Sequence, residues 1–194
     1  FLVVDAVKIT ETDYYTFTNL WHTQTIHEQG PHFYDTSIDS IQAVKLPQGR
    51  RLLVQFLDNE AKEDSFYTQN RHFQEEKAIY QTKSSHYRAG DYEVFVTALF
   101  PHDAGAPTAP LRDVVRVLPT SRYPEAIGFE IRDGGRTAYL GMKLDLESEV
   151  VRENIRPRYT WEAGRTTYGP VETDAHFVWA TADGDSVRYA ASQV

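Results

Sequence analysis

The sequence predicts an all-β fold, an antiparallel sandwich with at most one short helix, and three observations predict it. Strand-forming aromatics abound, with 12 Tyr, 10 Phe and 3 Trp against a single Met, and such side chains suit a pleated, half-buried surface. Apolar and polar residues alternate with a period of two in several stretches, which turns one face inward. Turn signals built on Gly, Pro and Asp recur roughly every ten residues, the spacing of a sandwich or barrel. With 41% hydrophobic residues over 194 positions, the chain can bury a core without covalent staples. No internal repeat or long linker divides it, so residues 1–194 read as a single β-sandwich domain.

The elements follow in order. Phe1 to Val7 opens directly in a buried-strand pattern and ends at Thr10-Glu11-Thr12-Asp13. A start without a polar lead-in predicts a segment of a larger multidomain protein. Tyr14 to Thr23 alternates, with Tyr15, Phe17, Asn19 and Trp21 on one face and Tyr14, Thr16, Thr18, Leu20 and His22 on the other. His27 to Thr36 contains Gly30-Pro31 and reads as irregular. Ile38 to Leu46 and Arg51 to Leu57 read as a hairpin around Pro47-Gln48-Gly49-Arg50. Asp58 to Gln69 is charged and predicts a loop. Gln74 to Tyr80 fits an edge strand or one short helix.

Tyr92 to Phe100 is the clearest strand, terminated by Pro101, and Asp103 to Pro110 is a Gly/Pro loop. Strands follow at Val114 to Leu118, Ala126 to Ile131 and Ala138 to Leu146, with a tight turn at Asp133-Gly134-Gly135. The one helical competitor is Leu144 to Asn154, whose Glu147, Glu149, Arg152 and Glu153 are spaced as a solvated face. Short strands lie at Arg158 to Trp161 and Arg165 to Tyr168. Thr173 to Ala182 and Ser186 to Ala190 form a last hairpin through Asp183-Gly184-Asp185.

The net charge of −8 bounds the partners. An acidic chain gains nothing from counterion release at phosphates, which argues against nucleic acid. An anionic membrane surface repels it as well, and no apolar run approaches the ~20 residues of a membrane span. An acidic glycan is also disfavoured on average, unless a local basic cleft overrides the mean. With no cysteine, thiol nucleophiles, disulfides and Cys-ligated zinc are excluded, while a periplasmic or extracellular location stays open.

Three constellations carry candidate chemistry. Trp21 to Asp35 holds His22, His27 and His32 with Glu28 and Asp35. Such a set suits metal ligation, an acid/base pair or sugar contact, but its spacing matches no compact zinc motif, and histidines in strand-end loops are commonly plain polar residues. Leu99 to Asp103 sets His102 and Asp103 just past a strand, where side chains are fixed yet exposed; the bland alternative is a turn in which Asp103 bonds its own backbone. Trp161 with Tyr159, Arg158 and Arg165, and Arg50 with Arg51, pair aromatic or cationic groups of the kind that stack on sugar rings and meet sugar carboxylates, although strand aromatics usually belong to the core. No phosphate loop, nucleophile elbow, metalloprotease helix or EF-hand is present in the sequence.

The order of several pieces resembles the C-terminal β-sandwich region of heparinase II/III-type polysaccharide lyases. These are Phe1 to Val7 followed by an aromatic strand closing on Leu20-Trp21-His22, then Val94 to Pro101, then Tyr168 to Ala175 leading into a hairpin. The resemblance implies a parent protein that joins a helical toroid, N-terminal to this region, to a β-sandwich. Such lyases cleave uronic-acid glycans by β-elimination, with a base at C5 and an acid at the leaving oxygen. The toroid supplies much of that machinery, so no catalytic residue is carried over here, and this segment alone is expected to be inactive. The family's sandwich metal ligands precede the strand that begins at Phe1; a structural divalent metal in the parent is allowed, and no cofactor is expected in this segment. His22 is the motif histidine that aligns, with a cleft-facing or packing role. The expected substrate-binding residues are thus Trp21, His22, His102 and Trp161, the expected partners an acidic polysaccharide or oligosaccharide and the remainder of the parent chain. The rival expectation is a non-catalytic carbohydrate-binding or structural β-sandwich module.

Overall fold

Among the described residues of the computed structural model every regular element but one is a β-strand, and every strand pair is antiparallel. The structure describes the chain apart from residues 42–43, 46–48, 72–73, 152–155, 162–163, 184–185 and 193–194, and apart from the side chains of 40–41, 44, 71, 74, 146–151, 156–161, 183, 187, 189 and 192. The chain forms two compact units, Phe1–Arg112 and Asp113–Val194.

The first unit contains β1 (Leu2–Lys8), β2 (Asp13–Thr23), β3 (Thr25–Gly30), β4 (Phe33–Ser37), β5 (Ser40–Ile41), β6 (Val44–Lys45), β7 (Arg50–Phe56), β8 (Glu63–Arg71), β9 (Gln74–Tyr87) and β10 (Tyr92–Asp103), then the four-residue helix α1 (Ala109–Arg112). One sheet runs β1-β10-β7-β4-β3, the other β2-β9-β8, with β5 and β6 as a separate small hairpin. The sheets face each other. Tyr34, Val54 and Phe56 from the first and Ile79 from the second form one buried cluster, with Trp21 and Leu52 packed against it. The alternation read in β2 is the observed one: Tyr15, Phe17, Asn19 and Trp21 are half-buried, and the intervening residues are exposed.

Several expectations are corrected here. Phe1 to Val7 is a strand, but β1 lies at a sheet edge and is exposed from Asp5 onward. His27 to Thr36 is not irregular; it belongs to the hairpin β3–β4, in which Gly30 pairs with Phe33 around a Pro31-His32 turn. Proline at the first turn position and a φ of 62° at His32 match a type II geometry. The partner of β7 is not the 38–46 stretch: β7 pairs with β4 and β10, whereas β5 and β6 pair with each other. Pro47 and Gln48 lie outside the described residues.

The polar 58–69 stretch contains a strand, β8, which is the largely exposed edge of its sheet. β9 is a strand rather than a helix, and it is central rather than an edge. β10 does not stop at Pro101 but pairs with β7 as far as Asp103 and Arg50. Leu99 N–H donates to Phe1, so the nitrogen of residue 101 faces the same side, where β1 has ended. Proline is tolerated at such a place because no ladder donor is missing.

The second unit contains β11 (Val115–Leu118), β12 (Ala126–Asp133), β13 (Arg136–Lys143), β14 (Leu146–Val151), β15 (Arg156–Trp161), β16 (Thr166–Tyr168), β17 (Val171–Thr173), β18 (Phe177–Asp183) and β19 (Ser186–Ser192). One sheet runs β11-β12-β13-β18-β19; β14 pairs with β15 and β16 with β17. The Leu144 to Asn154 segment is therefore not helical where described, because 146–151 pairs with 156–161 as a hairpin. Gly134 and Gly135 carry φ of 55° and 83° between the paired Asp133 and Arg136, the primed turn that two-residue hairpins favour. Tyr168 is wholly buried with Ala126 and Val178, and its ring lies over Gly128 and Gly141, where a Cβ would meet it at 3.1 and 2.5 Å.

Candidate functional site

Strand alternation decides which of the expected site residues can meet. The Trp21 side chain enters the gap between the two sheets of the first unit, and that of His22, next along β2, leaves on the opposite face. There His22 Nδ1 lies 3.2 Å from Gln69 Nε2 and 3.6 Å from a Glu76 carboxylate oxygen. Both residues border one cleft of about 250 Å³ at the end of the sandwich, lined also by Thr23, Thr36, Ile38, Arg50, Leu52 and Ile79.

His102 is not past the strand but within β10, and it is buried. Its Nε2 is 2.9 Å from Asp35 Oδ1, and Arg51 Nη1 donates to Asp35 Oδ2 at 3.0 Å. Residues 51, 53 and 55 of β7 alternate away from Leu52 and Val54, so this trio sits on the outer face of the five-stranded sheet. The 104–112 segment is tied to the same sheet: Thr108 Oγ1 donates to Glu28 and Gln55 Nε2 to the Arg112 carbonyl. His22 and His102 thus occupy outer faces of two different sheets and do not converge. The backbone of Trp161 pairs with Leu146 in the second unit, and its side chain lies outside the described residues.

The three histidines of the Trp21 to Asp35 stretch separate in the same way. His27 Nε2 contacts Ser37 Oγ at 2.9 Å. His32, at the hairpin tip, has Nδ1 2.5 Å from Asp64, whose other oxygen accepts from Tyr34 Oη at 2.9 Å. Burial, reinforced by that carboxylate, raises the Tyr34 phenol well above its ordinary value. Among the described residues no three His, Asp or Glu side chains gather as a cation site. Asp64 is not marked by the sequence because the strand that carries it is mostly polar and reads as a loop.

Arg50 shares the inward parity of Leu52 and Val54. It lies at the cleft rim, three-quarters exposed, with Nη1 2.7 Å from Asp103. The indole Nε1 of Trp21 is buried and has no hydrogen-bond partner among the described residues. The cleft therefore offers apolar walls and, at its rim, the Arg50 cation held only by an exposed ion pair, the kind worth little in water.

Deeper in the unit the inter-sheet gap is charged. Lys62 Nζ sits 2.7 Å from Asp58 and 3.1 Å from Glu93, and Lys83 Nζ lies 3.0 Å from Glu93. Tyr87 Oη donates to Glu93 at 2.8 Å. Burial alone would raise the Glu93 carboxyl, but these bonds and the Lys62 charge outweigh it and hold it below its ordinary range. Each buried charge has a partner, so this network is a fixed polar core and offers no open coordination or acid/base position.

No family model, no curated protein and no solved structure matches this chain.

Proposed function

We propose that this chain is an acidic-glycan-binding β-sandwich, the sandwich portion of a polysaccharide lyase that cleaves uronic-acid glycans by β-elimination in the periplasm or outside the cell. The observation that carries the binding half of this reading is the Trp21 cleft. Its apolar walls, Trp21 among them, suit the C–H face of a pyranose ring. Arg50 at the rim suits the carboxylate of a uronate, since a guanidinium meets a carboxylate bidentately. The exposed Asp103 partner gives way at small cost. The lyase half rests on the order of Phe1 to Val7, Leu20-Trp21-His22, Val94 to Pro101 and Tyr168 to Ala175.

In this reading the chain holds the polysaccharide and does not cleave it. β-Elimination needs a base within hydrogen-bond reach of the C5 proton; His102 is buried against Asp35 on the outer face of the five-stranded sheet, and His22, at the cleft border, has its Nδ1 turned to Gln69 and Glu76. Calorimetric titration tests the proposal, comparing a short oligouronate with a neutral oligosaccharide of equal length. Binding of the acidic ligand is expected, weakened roughly tenfold in Arg50→Ser, the loss of one charge-assisted contact. Equal binding of both ligands, or of neither, overturns it. Ultraviolet detection of the unsaturated uronate product is the companion assay; product formed by this chain alone would refute the non-catalytic part.

A further inference from the structure

The sheet of the second unit carries a row of aromatic side chains that keep more than a third of their surface exposed. Phe177 and Trp179 lie two apart on the central strand β18 and are 40% and 38% exposed. Thr181 continues the same face. Across the ladder Thr181 pairs with Arg188 on β19 and with Ala138 on β13. Arg136 has the parity of Ala138, so it projects from the same face. Arg136, Thr181, Ala182, Ser186 and Arg188 line a cavity of about 280 Å³ at the end of the row. Both arginines are exposed, and neither has an ion-pair partner among the described residues.

We infer that this row is a second glycan-binding site, a Phe177–Trp179 shelf for sugar rings leading into an Arg136–Arg188 pocket for a sugar carboxylate. The indole and phenyl faces supply flat apolar area to ring C–H groups, and residues two apart on a strand are roughly 7 Å apart, so two rings fall under neighbouring sugars. Two guanidiniums at one end add what a neutral glycan does not need and an anionic one does. In a chain of net charge −8, two exposed arginines around one cavity, neither with an ion-pair partner among the described residues, mark the local exception that favours an anion. Thr181 and Ser186 provide hydroxyls for the remaining polar edge of a sugar. Single-stranded nucleic acid also stacks on aromatics beside arginines, but the overall negative charge opposes it. This site stands on residues of the second unit alone and does not require the Trp21 cleft to bind anything.

The test is calorimetric titration with the same short oligouronate on the Arg50→Ser chain, then on that chain with Trp179→Ala, and separately with Arg136→Ser and Arg188→Ser together. Residual binding in Arg50→Ser that weakens roughly tenfold or more on adding either change, with circular dichroism unaltered, supports the second site, whether or not the cleft reading survives. The neutral oligosaccharide should bind less than the uronate, and the arginine changes should leave that weak binding unmoved. Three outcomes overturn the inference: residual binding indifferent to Trp179 and both arginines, no residual binding in Arg50→Ser, or tighter binding of an oligodeoxynucleotide than of the uronate.

Discussion

His102 Nε2 lies 2.9 Å from Asp35 Oδ1, with both side chains buried on the outer face of the five-stranded sheet. Arg51 takes the second oxygen of the same carboxylate. One carboxylate therefore satisfies two basic groups from two neighbouring strands and locks β4 to β7 and β10. Replacing Asp35 by Ala strands both partners, so Asp35→Ala should lose roughly 3 kcal/mol in urea unfolding. A loss under about 1 kcal/mol would mean that the trio does not operate as a unit.

The Lys62 side chain is 1% exposed between two carboxylates. Lys62→Met removes the cation shared by Asp58 and Glu93 and leaves Glu93 with Lys83 as its remaining cation, which should cost about 3 kcal/mol. Adding Glu93→Gln should recover part of that loss, because the second change removes one of the two buried carboxylates that lost the Lys62 charge. Strict additivity of the two changes in the unfolding midpoint would refute the coupling.

Stability should fall at both ends of the pH scale for opposite reasons. Glu93 is held below its ordinary value of 4.5 in the folded state. Its contribution is thus present above that pH and is lost as pH falls below 4.5 through the lower folded value. Tyr168 runs the other way: burial pushes its phenol from 10.0 up to about 12. The contribution is complete below pH 10 and declines from there toward about 12. Thermal melts across pH should show both shoulders, with Glu93→Gln removing part of the acidic one. An acidic shoulder unchanged in Glu93→Gln would contradict the assignment.

Gly141→Ala should destabilise the second unit by about 1–3 kcal/mol, because the new methyl would meet the Tyr168 ring at 2.5 Å. Gly128→Ala, with the nearest atom at 3.0 Å, should cost less. The reverse order in a chemical denaturation series would indicate that the ring is not the wall.

Where one face of a strand was core and the other solvent, the sequence was readable, as in β2, with its Tyr15, Phe17, Asn19 and Trp21 stripe. It was opaque where that contrast vanished. Phe33, Tyr34, Asp35 and Thr36 are all buried, so β4 shows no alternation and was read as irregular. β8 is nearly all exposed and polar, and it passed for a loop. Pro101 looked like a terminator because a proline's missing donor matters only where a neighbouring strand needs it, which sequence does not reveal. Of the site, Trp21 and Arg50 were visible as residue types. That His22 borders the cleft while His102 is buried on the far face of the other sheet depended on strand parity through segments whose registers are hidden in the sequence. Trp179 drew no notice because it sits in an apolar strand, and its exposure follows from sheet position alone.

The most direct test of the glycan-binding reading is a two-dimensional N–H correlation NMR titration of this chain with a short oligouronate, following the Trp21 indole signal. The cleft account predicts that this signal shifts and saturates with the ligand, together with the backbone signals of Thr23, Ser37 and Arg50. A Trp21 indole signal that stays fixed at ligand concentrations saturating the rest of the spectrum would contradict it.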